Sequence, residues 1–228
     1  MLESRQKSTQ RNPTSTKVRN GPERREAILA VAMDLFHERG FENGTMRDIA
    51  KMLAFTQAAL YYHFKSKDEI FFSILDRFTD MVLKIVKSEL DTPGDPVAVL
   101  RSTIRRHVII SRDYSKEVKL LTEDRKLLSE EYGYQVRRKE RKIFDLYRRH
   151  FERLHAANLL PPISPTTMTF ALLAAANSVH QWYDRNGELS IDEIAAQLGE
   201  LFLGPEINAQ PQARKHSQPQ ARKRSKVR

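Results

Sequence analysis

The sequence has no cysteine and only 8 glycines among its 228 residues. Without cysteine, a disulfide framework, a thiolate nucleophile and a cysteine-ligated zinc site are all excluded. Long apolar runs are missing too, because the longest, Ala27–Met33 and Phe170–Ala176, fall far short of the ~20 residues that span a bilayer. The polar first residues lack the apolar region of a secretory signal. We therefore expect a soluble, cytoplasmic protein with no membrane partner.

The net charge of +10 is carried by the two ends of the chain. Residues 1–22 hold five basic residues and one acidic residue, residues 205–228 hold seven and one, and residues 23–204 hold 27 of each. Both ends are polar and without periodicity, which predicts a disordered basic arm over 1–22 and a disordered basic tail over 205–228. Such ends either steer a protein towards phosphate backbones without sequence preference or simply solubilise it, and the sequence leaves both open.

Between the two ends, the apolar residues recur with helical spacing and no long period-two run is present. This pattern predicts an all-α fold of about nine helices. The helices are predicted over about 23–39, after Thr45, after Thr56 to about His63, after Ser66 through Ile85, and over about 97–112, 116–128, 130–157, 166–186 and 191–203. Capping boxes are predicted for Thr45 with Asp48, Ser66 with Glu69 and Ser190 with Glu193, and a cap at Ser164 before Pro165.

Residues 41–72 contain two short capped helices joined by the tight connection Leu53-Ala54-Phe55. Helices of this length are not stable alone, so they need the first helix and the start of the fourth to bury Ile49, Leu53, Leu60 and Phe64. A three-helix unit that leaves one short helix at the surface fits the major groove of DNA. The sequence therefore predicts a helix-turn-helix DNA-binding domain over 23–70, followed by a second helical domain over 71–204.

The residues of this window resemble a known signature. Thr45, Asp48-Ile49-Ala50 and Leu60-Tyr61-Tyr62-His63-Phe64-Lys65-Ser66-Lys67, preceded by Phe36-His37-Glu38-Arg39-Gly40-Phe41, resemble the TetR family of transcriptional regulators. The resemblance implies a homodimer that binds double-stranded operator DNA, with repression as the family default. It also implies that the domain over 71–204 is a ligand-binding and dimerisation domain, with a four-helix dimer interface built from the last two helices of each subunit. One departure lies in the turn, where Ala54 stands in place of the usual glycine and costs stability if φ is positive there.

The resemblance also implies DNA contacts for individual residues. Thr45 and Arg47 would hold the backbone, Thr56 and Lys67 would bind phosphates, Gln57, Ala58 and Ala59 would face base edges, and Tyr61, Tyr62 and His63 would contact phosphates or the groove wall. Each of three residues also has a simpler role. Thr56 is a helix cap, Tyr61 alternatively packs half-buried, and His63 alternatively is a helix-end cation favoured by the dipole.

The segment from Asn177 to Ala195 resembles the C-terminal domain of TetR-type regulators of fatty-acid and steroid catabolism, which implies an acyl-CoA effector and control of lipid-degradation genes. The helix over 130–157 carries an apolar stripe beside a basic cluster, which suit an acyl chain and the CoA phosphates respectively. Alternatively the cluster is a solvated helix face and the effector is a different small molecule. The candidate ligand-binding residues are His107, Arg141, Phe144, Tyr147, Asn177 and Trp182.

Other classes of site are not supported by the sequence. His107 lies on an apolar helix face, which favours a core or pocket-lining residue over a metal ligand, and His150 and His155 do not share a helix face. Glycine-rich phosphate loops, nucleophile elbows and paired carboxylates placed for acid–base work are missing, so we expect no enzyme activity, cofactor, catalytic site or metal site. A non-specific nucleic-acid binder acting through the basic tails remains the alternative function.

Overall fold

The computed structural model of the protein describes residues 21–205, so nearly all of the predicted basic arm and tail lies outside the described residues. That part of the chain contains nine α-helices and no strand, which confirms the predicted all-α fold. The helices are α1 (Gly21–Arg39), α2 (Met46–Met52), α3 (Gln57–His63), α4 (Lys67–Leu90), α5 (Pro96–Asp113), α6 (Ser115–Lys119), α7 (Glu130–Ala156), α8 (Pro165–Trp182) and α9 (Ile191–Leu203). Within 21–205, no helix is long and apolar enough to cross a membrane.

The three predicted capping boxes are found at the starts of their helices, one of them only in part. Thr45 and Ser190 each form a complete capping box with the third residue of the helix, as predicted. The Ser66 side chain accepts a hydrogen bond from the Glu69 backbone N–H, but the Glu69 carboxylate accepts from the Lys65 N–H at 2.7 Å instead of from Ser66. The predicted box at Ser66 is therefore half formed, because its carboxylate caps the preceding residue.

The helix predicted near the middle of the chain needs correction. The single helix predicted over 116–128 is instead α6, a π-helical turn at Leu120–Asp124 and a 3₁₀ turn at Arg125–Leu127. Val118 lies in the core with α5 and α7, whereas Leu120 and Leu128 lie in the core of the first four helices. π-helical turns of this kind often lie at functional sites.

The eighth helix is shorter than predicted and differs in its cap. It ends at Trp182 instead of 186, because Asp184 accepts the Asn186 N–H on its carboxylate at 2.9 Å and the Gly187 N–H on its carbonyl at 3.1 Å, which closes a turn. Ser164 occupies the position before the helix but its side chain makes no capping hydrogen bond. Pro165 is the first helical residue, as predicted.

The core of the predicted helix-turn-helix extends beyond residue 70. Ile49, Leu60 and Phe64 are buried there as expected, whereas Leu53 is half-buried. The same core includes Phe71 from α4 and Leu128, which follows the 3₁₀ turn. Helix α4 passes through the predicted domain boundary without a break, and its second half packs in the larger core with α5, α7 and α8. A rigid helix therefore connects the two predicted domains.

The turn between α2 and α3 has the positive φ that the sequence raised as a question. Ala54 has φ of 54°, in the left-handed region. We expect Ala54→Gly to raise the free energy of unfolding by about 0.5–1 kcal/mol, since relief of the left-handed strain exceeds the entropic cost of glycine. Thermal denaturation measures the change. Ala58→Gly, on exposed α3 backbone, is the control and should cost about 0.5–1 kcal/mol. Equal destabilisation by both variants would contradict the strain at Ala54.

Candidate functional site

The two short helices of the helix-turn-helix are held by their caps and by a few buried residues, Ile49 and Ala50 in α2 and Leu60 in α3. Thr45 Oγ1 accepts the Asp48 N–H at 3.1 Å, and Thr56 Oγ1 accepts the Ala59 N–H at 3.1 Å. Ile49 and Leu60 anchor α2 and α3 in the core with no exposed surface. The capping role of Thr56 is thus real, and its backbone neighbours at the start of α3 face solvent.

The outer face of α3 is fully exposed and rich in groups that suit DNA. Gln57, Ala58, Tyr61 and Tyr62 are all exposed, and Tyr62 keeps 86% of its surface. Tyr61 is 52% exposed, so about half of its surface is open to a partner and the rest is covered by the protein. Large aromatic side chains left in water on a rigid helix are typical of a binding surface. Thr45 and Arg47 are also exposed on the neighbouring part of the surface, as their predicted role requires.

The end of α3 is fastened by Arg25, which the sequence reasoning did not single out. Its guanidinium donates to the His63 carbonyl at 2.8 Å and lies 3.9 Å from the centre of the Phe64 ring. The His63 ring is half-buried and meets Tyr62 edge-on at 5.2 Å. Arg25 therefore fixes the orientation of α3 relative to α1, which any base-reading surface needs.

Lys67 differs from the other predicted DNA contacts because its ammonium group is already hydrogen-bonded within the protein. Its ammonium donates to the carbonyls of Phe41, Glu42 and Gly44 at 2.9, 3.0 and 3.3 Å. It also lies 4.5 Å from the centre of the Phe41 ring. All three N–H donors of the ammonium have partners in this arrangement. Lys67 ties the loop after α1 to the start of α4, and a phosphate would have to displace one of these bonds.

Two adjoining cavities lie between the helices of the C-terminal part. The outer one is an open recess of about 670 Å³ that borders α7 and α8, and the inner one has about 90 Å³ between α4, α5, α7 and α8. Glu140, Leu173 and Asn177 border both cavities, so they lie where the two meet. The inner cavity is lined mainly by aliphatic and aromatic side chains, including Phe78, Val82 and Ile143.

Three predicted ligand-binding residues form one hydrogen-bonded chain beside the inner cavity. His107 Nδ1 lies 3.0 Å from the Tyr147 hydroxyl, and His107 Nε2 lies 3.0 Å from Asn177 Oδ1. Burial lowers the pKa of His107 and raises the pKa of Tyr147, so both groups are neutral at physiological pH. The Tyr147 hydroxyl then donates to Nδ1, and Nε2–H donates to Asn177 Oδ1. This chain leaves the Asn177 amide N–H₂ group available at the junction of the two cavities.

The outer cavity combines arginine side chains with an aromatic wall. Arg125, Arg137 and Arg141 line it, and the predicted residues Arg141 and Phe144 are in contact, with the guanidinium carbon 5.3 Å from the ring centre. Phe144 also packs against Phe170, at 4.6 Å between ring centres. Arg125 forms an ion pair with Glu140, whose pKa is raised by burial against the opposing effect of Arg125. The pattern suits a ligand with an anionic part and an apolar part.

The structure does not bring Trp182 to either cavity. It lies at the end of α8, 54% exposed, and its indole N–H donates to Ser178 Oγ at 3.2 Å. The other five predicted residues line one of the cavities or, in the case of Tyr147, bond to a residue that does.

Three residues that the sequence reasoning missed also belong to this region. Arg125 and His180 line the outer cavity, and Ser111 lines the inner one. Ser111 follows His107 by one helical turn, a spacing that places both on one face and offered a signal for it. The sequence did not identify Arg125 because it lies on the irregular turn after α6, where helical periodicity does not predict which side chains point inward.

Residues 21–205 contain no group of three His, Asp or Glu side chains placed to hold a metal ion. The His150 ring nitrogens interact with the Pro96 carbonyl at 2.9 Å and with Arg153 at 2.8 Å, so His150 does not pair with His155.

Comparison with known proteins now identifies the family. Residues 28–74 match the sequence model described as bacterial regulatory proteins, tetR family, and residues 93–205 match the one described as tetracyclin repressor-like, C-terminal domain. The chain belongs to the TetR family of transcriptional regulators. The second match begins where α5 is about to start, so α4 connects the two matched regions. Members of this family are DNA-binding regulators and not enzymes, in agreement with the expectation from the sequence.

Individual TetR-family relatives extend the comparison. The HTH-type transcriptional repressor KstR2 of Mycolicibacterium smegmatis is 26% identical over 200 residues, 85% of this chain and 95% of that protein. The regulator AcrR of Shigella flexneri is 34% identical over 102 residues, 44% of this chain and 47% of that protein. The structure of AibR in complex with isovaleryl coenzyme A and operator DNA superposes with a TM-score of 0.74, at 27% identity, covering 80% of this chain and 99% of that chain.

Proposed function

We propose that this TetR-family protein is a homodimeric repressor that binds a palindromic operator and is released by a coenzyme A thioester with a short acyl chain. The observation that carries the proposal is the small aliphatic inner cavity that meets an outer recess with three arginines. The acyl group occupies the inner cavity and the phosphates of CoA lie among the arginines, since guanidinium groups match phosphate oxygens. Two relatives support this assignment, AibR by its complex with isovaleryl coenzyme A and KstR2 as a named repressor.

The size of the inner cavity selects the length of the acyl chain. Its volume of about 90 Å³ is small beside the roughly 300–1,000 Å³ of pockets that enclose larger organic ligands. A long fatty-acyl chain or a steroid ring system would need the walls formed by Phe78 and Ile143 to move apart. We therefore propose that the regulated genes serve the breakdown of short acyl chains within fatty-acid degradation.

Two elements connect the effector cavities to the DNA-binding surface. Helix α4 places Phe78, Thr79 and Val82 on the inner cavity, while its first half packs beneath the helix-turn-helix. The turns after α6 place Thr122 and Arg125 on the outer cavity. A ligand that moves either element therefore changes the position of α3 relative to the rest of the protein, and it acts by binding the DNA-incompetent state more tightly.

Helix α6, which leads into these turns, contacts α1 directly. Lys116 Nζ forms an ion pair with Asp34 at 2.6 Å, and Lys119 Nζ donates to the His37 carbonyl at 3.4 Å. Because α1 in turn holds α3 through Arg25, a continuous chain of contacts runs from Arg125 in the outer cavity to the base-reading face.

The dimer is proposed to form through the exposed sides of α8 and α9. Trp182 and Leu201 are large apolar residues left 54% and 74% exposed there, and Ala171, Ala174 and Ala196 are small exposed residues that permit close helix approach. Other apolar residues of these two helices, among them Val179, Ile194 and Phe202, are buried within the subunit. A dimer presents two α3 helices to successive major grooves, which a palindromic operator matches.

The experiment measures release of the protein from a selected operator by acetyl-, butyryl-, octanoyl- and palmitoyl-CoA at fixed salt. Butyryl-CoA should release the DNA at the lowest concentration, with CoA itself far weaker. The double variant Arg137→Gln/Arg141→Gln should raise the required concentration about 10-fold or more, because each lost charge-assisted contact is worth more than a neutral one. Arg138→Gln is the matched control, since Arg138 is exposed on α7 but does not line the outer cavity.

Three results would contradict the proposal. Indifference of the operator complex to every thioester would remove the CoA assignment while leaving a TetR regulator. Release by palmitoyl-CoA in preference to butyryl-CoA would show that the inner cavity is not the acyl site. Equal effects of the α7 double variant and of Arg138→Gln would show that the outer cavity does not bind the phosphates.

A further inference from the structure

Among the buried serine and threonine side chains of the helices, one hydroxyl lacks a hydrogen-bond partner. Thr79, Thr103 and Thr169 are buried, and each donates its hydroxyl to the backbone carbonyl four residues earlier at 2.7–2.8 Å. Ser111 is equally buried, with 0% exposure, but its Oγ has no hydrogen-bond partner among the described residues. An unpaired buried hydroxyl costs about 1–3 kcal/mol, so its persistence calls for an explanation.

Ser111 lines the inner cavity, which is otherwise mainly apolar. A purely hydrocarbon acyl chain in that cavity would leave the hydroxyl unpaired, with its cost undiminished. An oxygen carried by the ligand would satisfy it. The unpaired hydroxyl and the cavity are independent observations, one from hydrogen bonding and one from shape, and both concern the same side chain.

The oxygen in question is distinct from the thioester carbonyl. Asn177 lies where the two cavities meet, and its amide N–H₂ group remains available after its Oδ1 has accepted from His107. The junction is where the thioester lies when the acyl group is inside and the CoA moiety outside. Asn177 therefore serves the thioester carbonyl, and Ser111, which lines the inner cavity but not the outer recess, faces the chain beyond it.

We propose that the physiological effector is an oxygenated short-chain acyl-CoA, bearing a hydroxyl or keto group on the acyl chain, and that Ser111 recognises this oxygen. The proposal rests on the acyl-CoA function proposed above and adds the chemical class of the acyl group. A hydroxyl on the ligand can donate to or accept from Ser111, and a keto oxygen can accept from it.

The test compares butyryl-CoA, 3-hydroxybutyryl-CoA and acetoacetyl-CoA in release of the full-length protein from its operator. The wild-type protein should respond to at least one oxygenated thioester at about 10-fold lower concentration than to butyryl-CoA, because a site built to hydrogen-bond an oxygen disfavours the analogue that lacks it. In Ser111→Ala this preference should shrink to about 2-fold or less, with the butyryl-CoA response unchanged or improved.

Thr79→Val is the matched control variant. Thr79 also lines the inner cavity, but its hydroxyl already donates to the Leu75 carbonyl at 2.8 Å. Its replacement should leave the ratio between oxygenated and plain thioesters unchanged. Thermal denaturation should find Ser111→Ala at least as stable as the wild type, since the substitution removes an unpaired polar group from the core.

Each contrary outcome has a separate meaning. Equal responses of the wild-type protein to all three thioesters, a measurement that needs no variant, would overturn the oxygen assignment and leave the CoA effector intact. A uniform loss for all three in Ser111→Ala would assign Ser111 to the thioester carbonyl and overturn the chain-oxygen proposal. No response to any thioester would overturn the proposed function and this inference together.

Discussion

Replacing Gln57 with alanine is expected to lower affinity for the preferred operator about 10- to 100-fold, because a bidentate amide–adenine contact is worth about 1–3 kcal/mol of discrimination. Gln57 is the exposed first residue of α3, on a helix whose orientation is fixed by Leu60 in the core and by the Arg25 guanidinium at its end. The residue makes no contribution to the core, so the fold should be unaffected.

The measurement is fluorescence anisotropy with an operator selected from random duplexes and with a scrambled duplex, at one salt concentration. Gln57→Ala should weaken binding to the operator and leave the scrambled duplex unchanged. Arg47→Ala provides the contrast, since loss of a phosphate contact should weaken both duplexes and reduce the salt slope by about one. If Gln57→Ala weakened both duplexes alike, the residue would be a backbone contact and the assignment to base reading would fail.

Lys67→Met is expected to lower the free energy of unfolding by about 2–4 kcal/mol, because three carbonyls that accept from one ammonium lose a charged donor together. For a chain of this length that corresponds to a fall of roughly 5–12 °C in the midpoint of thermal denaturation. Methionine preserves most of the apolar stem against the Phe41 ring, so the loss reports on the ammonium.

Lys65→Met is the control for this experiment. Lys65 carries the same charge two residues earlier and its side chain is exposed, so its replacement should change the stability by about 0.5 kcal/mol or less. Unchanged stability of Lys67→Met together with a salt slope reduced by one would restore Lys67 as a phosphate contact, as the family resemblance implied. Loss of stability with an unchanged salt slope would establish it as a structural lysine.

The proposed effector site shows why the family resemblance and the helical periodicity identified some residues and not others. His107, Phe144 and Asn177 lie on regular helices, where spacing places them on inward faces, and the structure brings them to the cavities. Arg125 lies on a 3₁₀ turn that the sequence presented as a regular helix, and its position depends on the change of winding before it. Trp182 was predicted to bind the ligand because it lies in the segment that resembles acyl-CoA-responsive regulators. In the structure α8 ends at Trp182, and the indole is exposed.

The sequence by itself determined the all-α fold, the nine helices, most of their caps and the identity of the DNA-binding motif. These features depend on contacts within about four residues along the chain, such as Thr45 with Asp48 and Ser190 with Glu193, which composition and spacing encode directly. The turn motif also indicated that φ could be positive at Ala54, and the structure has a positive φ there.

Long-range packing set which polar groups find hydrogen-bond partners far along the chain and which find none. Lys67 bonds to carbonyls 23–26 residues away, the His107 chain joins residues up to 70 apart, and Ser111 remains unpaired inside a cavity formed by several helices. These facts depend on how long-range packing sets distances of a few ångströms, and short-range sequence patterns do not contain that information. For the same reason, the proposed chemistry of the effector rests on contacts in the folded protein, whereas the sequence indicated only a broad class of effector.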